Sequence, residues 1–227
     1  MRLYLSSFRV GAHGGELLRL VGAGRRAALV PNAVDDFSRA ARDAADLSAL
    51  GFSVSLVDLR AEPVPACDLL WVRGGNVFTL RRALAGRAAE LLAAIRADAF
   101  VYGGYSAGVC VLCPDLRGLE ALDPPGADPL WSGLGLLDRA VVPHVDSPSH
   151  PESPACDALS AAFTAAGRPH WALRDGDVLV VEGPRTRLLP RDARQPARDA
   201  RPAAPARPAA PGARPTGATS DGSAAPA

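Results

Sequence analysis

Val101-Tyr102-Gly103-Gly104-Tyr105-Ser106-Ala107-Gly108-Val109-Cys110 carries an apolar β-type run into a Gly-x-Ser-x-Gly turn and then directly into an apolar helical segment. Glycines flanking the serine allow the sharp strand-to-helix bend of a nucleophile elbow, which stands the hydroxyl at the carboxyl edge of a sheet. The amide of the next residue, Ala107, and the helix N-terminus behind it are then placed to stabilise an oxyanion. An elbow of this kind needs a parallel strand with a covering helix, so it fixes the expected fold class.

Outward from the elbow, short β-rich runs alternate with helical patterns, the signature of a parallel sheet covered by helices. The expected strands are Leu3–Ser7, Ala27–Pro31, Ser53–Leu59, Leu69–Arg73, Phe100–Gly103, Ala140–His144, His170–Leu173, Val178–Glu182 and Arg187–Leu189. The last three are closely spaced and read as a short antiparallel addition. Asp35 and Asp36 open a helix over Phe37–Leu50 that Gly51 closes. Asn76 opens another over Val77–Ile95, with Leu80, Leu84, Leu91 and Ile95 at helical spacing, and Ser153 caps a third that ends at Gly167. The expectation is one α/β domain over residues 1–190, a mostly parallel sheet with helices on both faces.

From Arg191 to Ala227 the chain holds six arginines against three aspartates and no Leu, Ile, Val, Met or aromatic residue. Such a segment has too little apolar surface to offset chain entropy, and is expected to be a disordered Ala/Pro/Arg-rich tail.

With 25 basic and 24 acidic side chains among 227 residues, the chain has no overall field to draw nucleic acid or an anionic membrane, and neither is an expected partner. Every one of those basic residues is arginine, which removes lysine nucleophiles, Schiff bases and the P-loop lysine. No stretch approaches the ~18 apolar residues of a membrane span, and Met1–Arg9 has no continuous apolar run of the signal-peptide kind. A cytoplasmic location is expected. Cys67, Cys110, Cys113 and Cys156 then read as reduced, buried thiols. The Cys110-Val-Leu-Cys113 spacing has no second CxxC or histidine pair to complete a zinc site.

A serine nucleophile needs a base, and the chain offers only His13, His144, His150 and His170. His144 follows the apolar run Ala140-Val141-Val142-Pro143, at a strand's carboxyl end, where open α/β sheets place their sites. It is the leading base. His150, in the adjoining loop, reads as a substrate contact or a surface residue, and His13 and His170 as structural. The acid that orients the imidazole stays open among Asp175, in the turn Leu173-Arg174-Asp175-Gly176, and Asp123 and Glu120, in the long loop before the histidine strand. A second glycine turn, Arg73-Gly74-Gly75-Asn76, follows the fourth strand. The Gly75 amide is the natural partner of Ala107 in an oxyanion hole, and Asn76 is a helix cap and candidate substrate contact.

Taken together, Gly74-Gly75-Asn76, Gly104-Tyr105-Ser106-Ala107-Gly108, Cys113-Pro114 and Val142-Pro143-His144 resemble the peptidase E family of serine peptidases, family S51. That family includes aspartyl dipeptidase and cyanophycinase, and its fold is similar to that of class I glutamine amidotransferases. The resemblance implies Ser106 as nucleophile, His144 as base, Gly75 and Ala107 as oxyanion hole, and Asp175 in the place of the family's acid. It also implies a small peptide substrate, no metal, no cofactor and a homodimer. Where peptidase E has Gly-Glu-Thr-Arg after the histidine loop, with an arginine suited to an aspartyl side chain, this chain has Pro151-Glu152-Ser153-Pro154. Arg73 and Arg174 are the candidates to supply that charge.

Other readings are weaker. A lipase-like hydrolase has its histidine last, whereas the order here is Ser, His, Asp, and a glutaminase elbow would carry cysteine at position 106. Gly11-Ala12-His13-Gly14-Gly15 departs from the dinucleotide fingerprint. A cyanophycinase-like hydrolase of isoaspartyl-arginine peptides and a catalytically silent binding module on the same fold remain as alternatives.

Overall fold

The computed structural model describes residues 1–192. The expected tail therefore lies outside the described residues, apart from Arg191 and Asp192. The elements in order are β1 (Arg2–Ser6), α1 (Gly14–Val21), β2 (Arg26–Val30), α2 (Ala41–Ala49), β3 (Ser53–Leu56), β4 (Leu69–Val72), α3 (Val77–Ala83) and α4 (Ala88–Arg96). They continue with β5 (Val101–Tyr105), α5 (Ala107–Cys110), β6 (Ala140–Val142), α6 (Ser153–Ala165), β7 (His170–Ala172), β8 (Val178–Glu182) and β9 (Arg185–Leu189).

Seven strands form one sheet in the order β3-β2-β4-β5-β1-β8-β9. The first five are mutually parallel, while β8 runs antiparallel to β1 and β9 antiparallel to β8. The inner strands are continuous apolar runs because the sheet is covered on both sides. Alternate residues divide between the two faces. Leu3, Leu5, Leu70, Val72 and Tyr102 join the core beneath α3 to α6. Tyr4, Leu69, Trp71 and Val101 join the one beneath α1 and α2. This is the expected α/β architecture, with its antiparallel addition at β8 and β9.

Several expectations need correction. The strand at His170 does not join that addition: β7 pairs in parallel with β6 as a separate two-stranded sheet. The helix expected over Val77–Ile95 is two helices, broken by a 3-10 turn over Ala85–Arg87 that contains Gly86. Glycine in a helix interior costs about 1 kcal/mol against alanine, which marks the weak point in an otherwise continuous apolar pattern. Phe37–Ala40 is likewise 3-10, with the Asp36 carboxylate accepting from Ser38 N–H, and the α-helix begins only at Ala41. Glu152, not Ser153, is the N-cap of α6. The strand from Ser53 ends at Leu56 rather than Leu59. The one from Ala140 stops at Val142, ahead of Pro143, which has no N–H to give a ladder.

The registers bring three strand ends together. Ser6 pairs with Tyr105 across β1 and β5, and Val72 pairs with Gly104 across β4 and β5. Ser7 therefore emerges level with Ser106 at the carboxyl edge, and Arg73 one residue earlier, level with Tyr105.

Candidate active site

Ser106 leaves β5 with φ 51° and ψ −118°, a backbone conformation that a residue with a Cβ rarely takes. Such strain costs on the order of 1–3 kcal/mol and persists where the surroundings enforce it. Here the enforcement is close packing on β4. A Cβ on Gly104 would lie 2.8 Å from the Val72 carbonyl oxygen, and a Cβ on Gly108 would run into the same oxygen. The Tyr102 hydroxyl, buried within the sheet, donates to the Gly108 carbonyl at 2.6 Å and fixes the far side of the bend. Ser106 is left half-exposed in a cavity of about 150 Å³.

The glycine turn after β4 lies against this serine. A Cβ on Gly74 would sit 3.0 Å from that of Ser106. Gly75 has φ 145°, and a Cβ there would run into the Ala33 carbonyl oxygen, so only glycine fits. Among the described residues neither the Gly75 nor the Ala107 amide has a hydrogen-bond partner. The Ala107 amide is one of the donors that a helix cannot satisfy internally.

His144 lines the same cavity from the end of β6 and is 1% exposed. Its Nδ1 lies 2.7 Å from Asp175 Oδ1. Its backbone N–H donates to Ser7 Oγ at 2.9 Å, and that hydroxyl lies 3.0 Å from the same Asp175 oxygen. The Asp175 N–H donates to Ser147 Oγ at 2.8 Å. Burial alone would raise the Asp175 carboxyl, but the bond from His144, that ring's charge and the Ser7 hydroxyl outweigh it and hold the group below the ordinary carboxylate range. An ionised carboxylate on Nδ1 makes that nitrogen the donor and leaves the lone pair on Nε2. His150 stacks on His144 with ring centroids 3.6 Å apart and planes 1° apart. Burial, then the neighbouring His144, lowers the His150 pKa, and Phe8 meets its ring edge-on at 5.2 Å.

The sequence model of peptidase family S51 matches residues 13–189, most of the chain. The chain belongs to peptidase family S51. Solved structures share the fold. A Listeria monocytogenes EGD-e protein described as peptidase E has a TM-score of 0.67 at 19% identity, over 83% of this chain and 98% of that one. A peptidase from an acI-B1 actinobacterium has a TM-score of 0.56 at 15% identity, over 83% and 87% of the two chains. No curated protein matches the chain.

In this S51 chain the other candidate residues lie as follows. Asn76 does not line the cavity: its Oδ1 accepts from Thr79 N–H at 2.8 Å as the cap of α3, and its Nδ2 donates to the Pro124 carbonyl at 2.8 Å. The structure uses it as cap and loop anchor, not as the substrate contact expected. Glu120 is exposed and accepts from the Gly118 amide in its own loop. Asp123 accepts from Val77 N–H at 2.9 Å, at the start of α3. Burial, with the nearby Glu152 charge adding, pushes its carboxyl up to about 6 against the opposing Val77 bond and His144 charge. His13 bonds the Pro190 carbonyl and His170 bonds Ser160, both away from the serine. Arg174 is drawn among Asp146, Asp177 and Asp192.

Some residues around the site carry no motif. Ser7 and Ser147 reach Asp175 across 168 and 28 positions, with no local pattern to announce them. Arg73 was legible only as a charge: its Nε pairs with buried Asp43 at 3.0 Å, its Nη1 is buried without a partner among the described residues, and it lines the serine's cavity together with Arg39. All four cysteines are buried and unpaired, and burial raises the thiols of Cys110 and Cys113, the latter to about 12. They have the character of packing residues rather than nucleophiles. Among the described residues no helix is long and apolar enough to cross a membrane.

Proposed function

We propose that the protein is a serine peptidase of short peptides, in which Ser106 attacks the scissile carbonyl carbon. His144 Nε2 takes the hydroxyl proton, while Asp175 on Nδ1 orients the ring and stabilises the imidazolium. The Gly75 and Ala107 amides hold the oxyanion of the tetrahedral intermediate. Its collapse sends the proton from His144 to the leaving amine and leaves an acyl-Ser106, which water, activated by the same imidazole, resolves. The observation that carries this reading is the 2.7 Å Asp175–His144 bond beside a serine held at positive φ in the same cavity. A cavity of about 150 Å³ is smaller than an ordinary ligand pocket and suits the end of a short peptide better than a folded chain. Unpaired buried cysteines suit a reducing compartment, the cytoplasm.

A second reading concerns preference. Arg39 and Arg73 line the cavity; Asp43 and Glu152 balance their charge, but the buried Nη1 of Arg73, without a partner among the described residues, is a donor suited to a carboxylate near the scissile bond, as in Asp-X or isoaspartyl-arginine substrates. The test is hydrolysis of a dipeptide panel with Asp, Glu, Asn, apolar and isoaspartyl first residues. Cleavage of acidic members, reduced about a thousandfold or more in Ser106→Ala, is the expected result. Cleavage that survives Ser106→Ala would refute the mechanism. A binding phenotype that survives it, in a protein that cleaves nothing, would identify a silent module.

A further inference from the structure

Peptide hydrolysis uses one imidazole at this cavity, yet the structure places two there, with a carboxylate beside them. One donor atom from each of His144, His150 and Glu152 lies within 4.8 Å of the other two. The imidazoles are stacked, 3.6 Å apart and 1° from parallel, which brings their edges together but leaves their in-plane lone pairs parallel. Asp175 occupies Nδ1 of His144, which leaves Nε2 with its lone pair facing away from the carboxylate. A carboxylate behind the far nitrogen is what fixes tautomer and raises basicity in metal-binding histidines. On His150, Nδ1 accepts the Glu152 N–H at 3.3 Å and so holds that ring's lone pair, with the proton on Nε2; metal binding through Nε2 asks the ring to change tautomer and give up this long contact.

Two imidazoles and one carboxylate are a donor set for Zn²⁺, whereas Mg²⁺ and Ca²⁺ favour oxygen ligands throughout. With bonds of about 2.0–2.1 Å, neighbouring donors around tetrahedral zinc lie about 3.3 Å apart. Closing the present cluster to that spacing asks for a shift of roughly 1.5 Å at most, and for His150 to turn out of the stack so that the ion lies in the plane of both rings. Glu152 is exposed and His150 half-buried, so both can move, while His144 is held by Ser7 and Asp175.

We propose that His144, His150 and Glu152 form an inhibitory Zn²⁺ site at the mouth of the Ser106 cavity. Zinc coordinated by Nε2 of His144 takes the lone pair that must accept the serine proton, so the metal-bound protein is switched off and removal of the metal restores it. No bond to substrate and no change of oxidation state is involved. The site stands on donor geometry alone; its inhibitory effect rests on His144 being the base.

The test separates the two. Full-length Ser106→Ala protein is titrated with ZnCl₂ by calorimetry, and with Co²⁺ as a spectroscopic stand-in. One ion per chain is expected. His150→Ala in the same background should weaken it about a hundredfold and Glu152→Gln about tenfold, with melting temperature as the folding control. Binding unchanged by both substitutions, or no binding at micromolar zinc, overturns the site. In the Ser106-containing protein, zinc should abolish peptide hydrolysis, a chelator should restore it, and Glu152→Gln should raise the inhibitory concentration about tenfold. Zinc binding through these residues in a chain that hydrolyses no peptide would sink the peptidase reading and leave the site standing. Active hydrolysis that is indifferent to bound zinc would sink the inhibitory claim.

Discussion

Two carboxylates feel the charge of His144, one in the turn around Asp175 and one in the loop around Asp123, and their states differ. Burial penalises both. Asp175 offsets it with donors, since one of its oxygens takes both His144 Nδ1 and the Ser7 hydroxyl, and the group is held below its usual range. Asp123 has a single backbone donor, Val77, faces the negative charge of Glu152, and is pushed up to about 6. Nearness to an imidazole does not make an acid fit to hold it as an imidazolium; the number of donors on the carboxylate does.

The largest effect that can break this contrast is on turnover. Asp175→Asn should lower kcat by about three to four decades, because an amide on Nδ1 permits the wrong tautomer. Asp123→Asn should change kcat by less than about threefold, since its oxygen still accepts from Val77. A reversed ranking would move the acid's role into the loop.

Stability against pH sharpens the same contrast. The folded pKa of Asp123 is raised above its unfolded value, so the folded state binds the proton more tightly. The corresponding stability is present below about pH 4 and is lost as pH rises through about 6. Asp123→Asn never ionises. It should exceed the parent protein by roughly 1–3 kcal/mol at pH 8 and match it near pH 4, as read by urea unfolding. Equal stabilities at pH 8 would mean that burial is not what raises the group.

The smallest effect concerns Ser7. Ser7→Ala removes a donor to Asp175 and an acceptor for the His144 amide. It should lower kcat about tenfold with KM unchanged, consistent with ~1.5 kcal/mol, the lower end for a hydrogen bond to a charged group. The acid limb of the kcat profile should also move to higher pH, because the carboxylate loses stabilisation. A KM effect alone would make Ser7 a substrate contact instead.

Much of this arrangement is legible in the chain, because local signals coincide with tertiary demands. β4 and β5, expected over Leu69–Arg73 and Phe100–Gly103, are legible as strands because their runs are apolar on both faces. The elbow is legible because Gly104 and Gly108 are required by contact with Val72. Illegible features have their cause elsewhere in the chain. The pairing of β7 with β6 is a matter of topology between two three-residue strands. The break at Gly86 falls inside an apolar period that continues across it. Asp175 shares its turn chemistry with any Asp-Gly, and only its reach to Ser7 and His144 distinguishes it from Asp123.

The most direct test of the central claim is covalent capture of the nucleophile. A fluorophosphonate should form one adduct per chain, mapped to Ser106 by mass spectrometry, and labelling should slow by about a hundredfold or more in His144→Ala, as expected when the activating base is lost. An adduct on another residue, or no adduct from a protein that is hydrolysing peptide, would contradict the account.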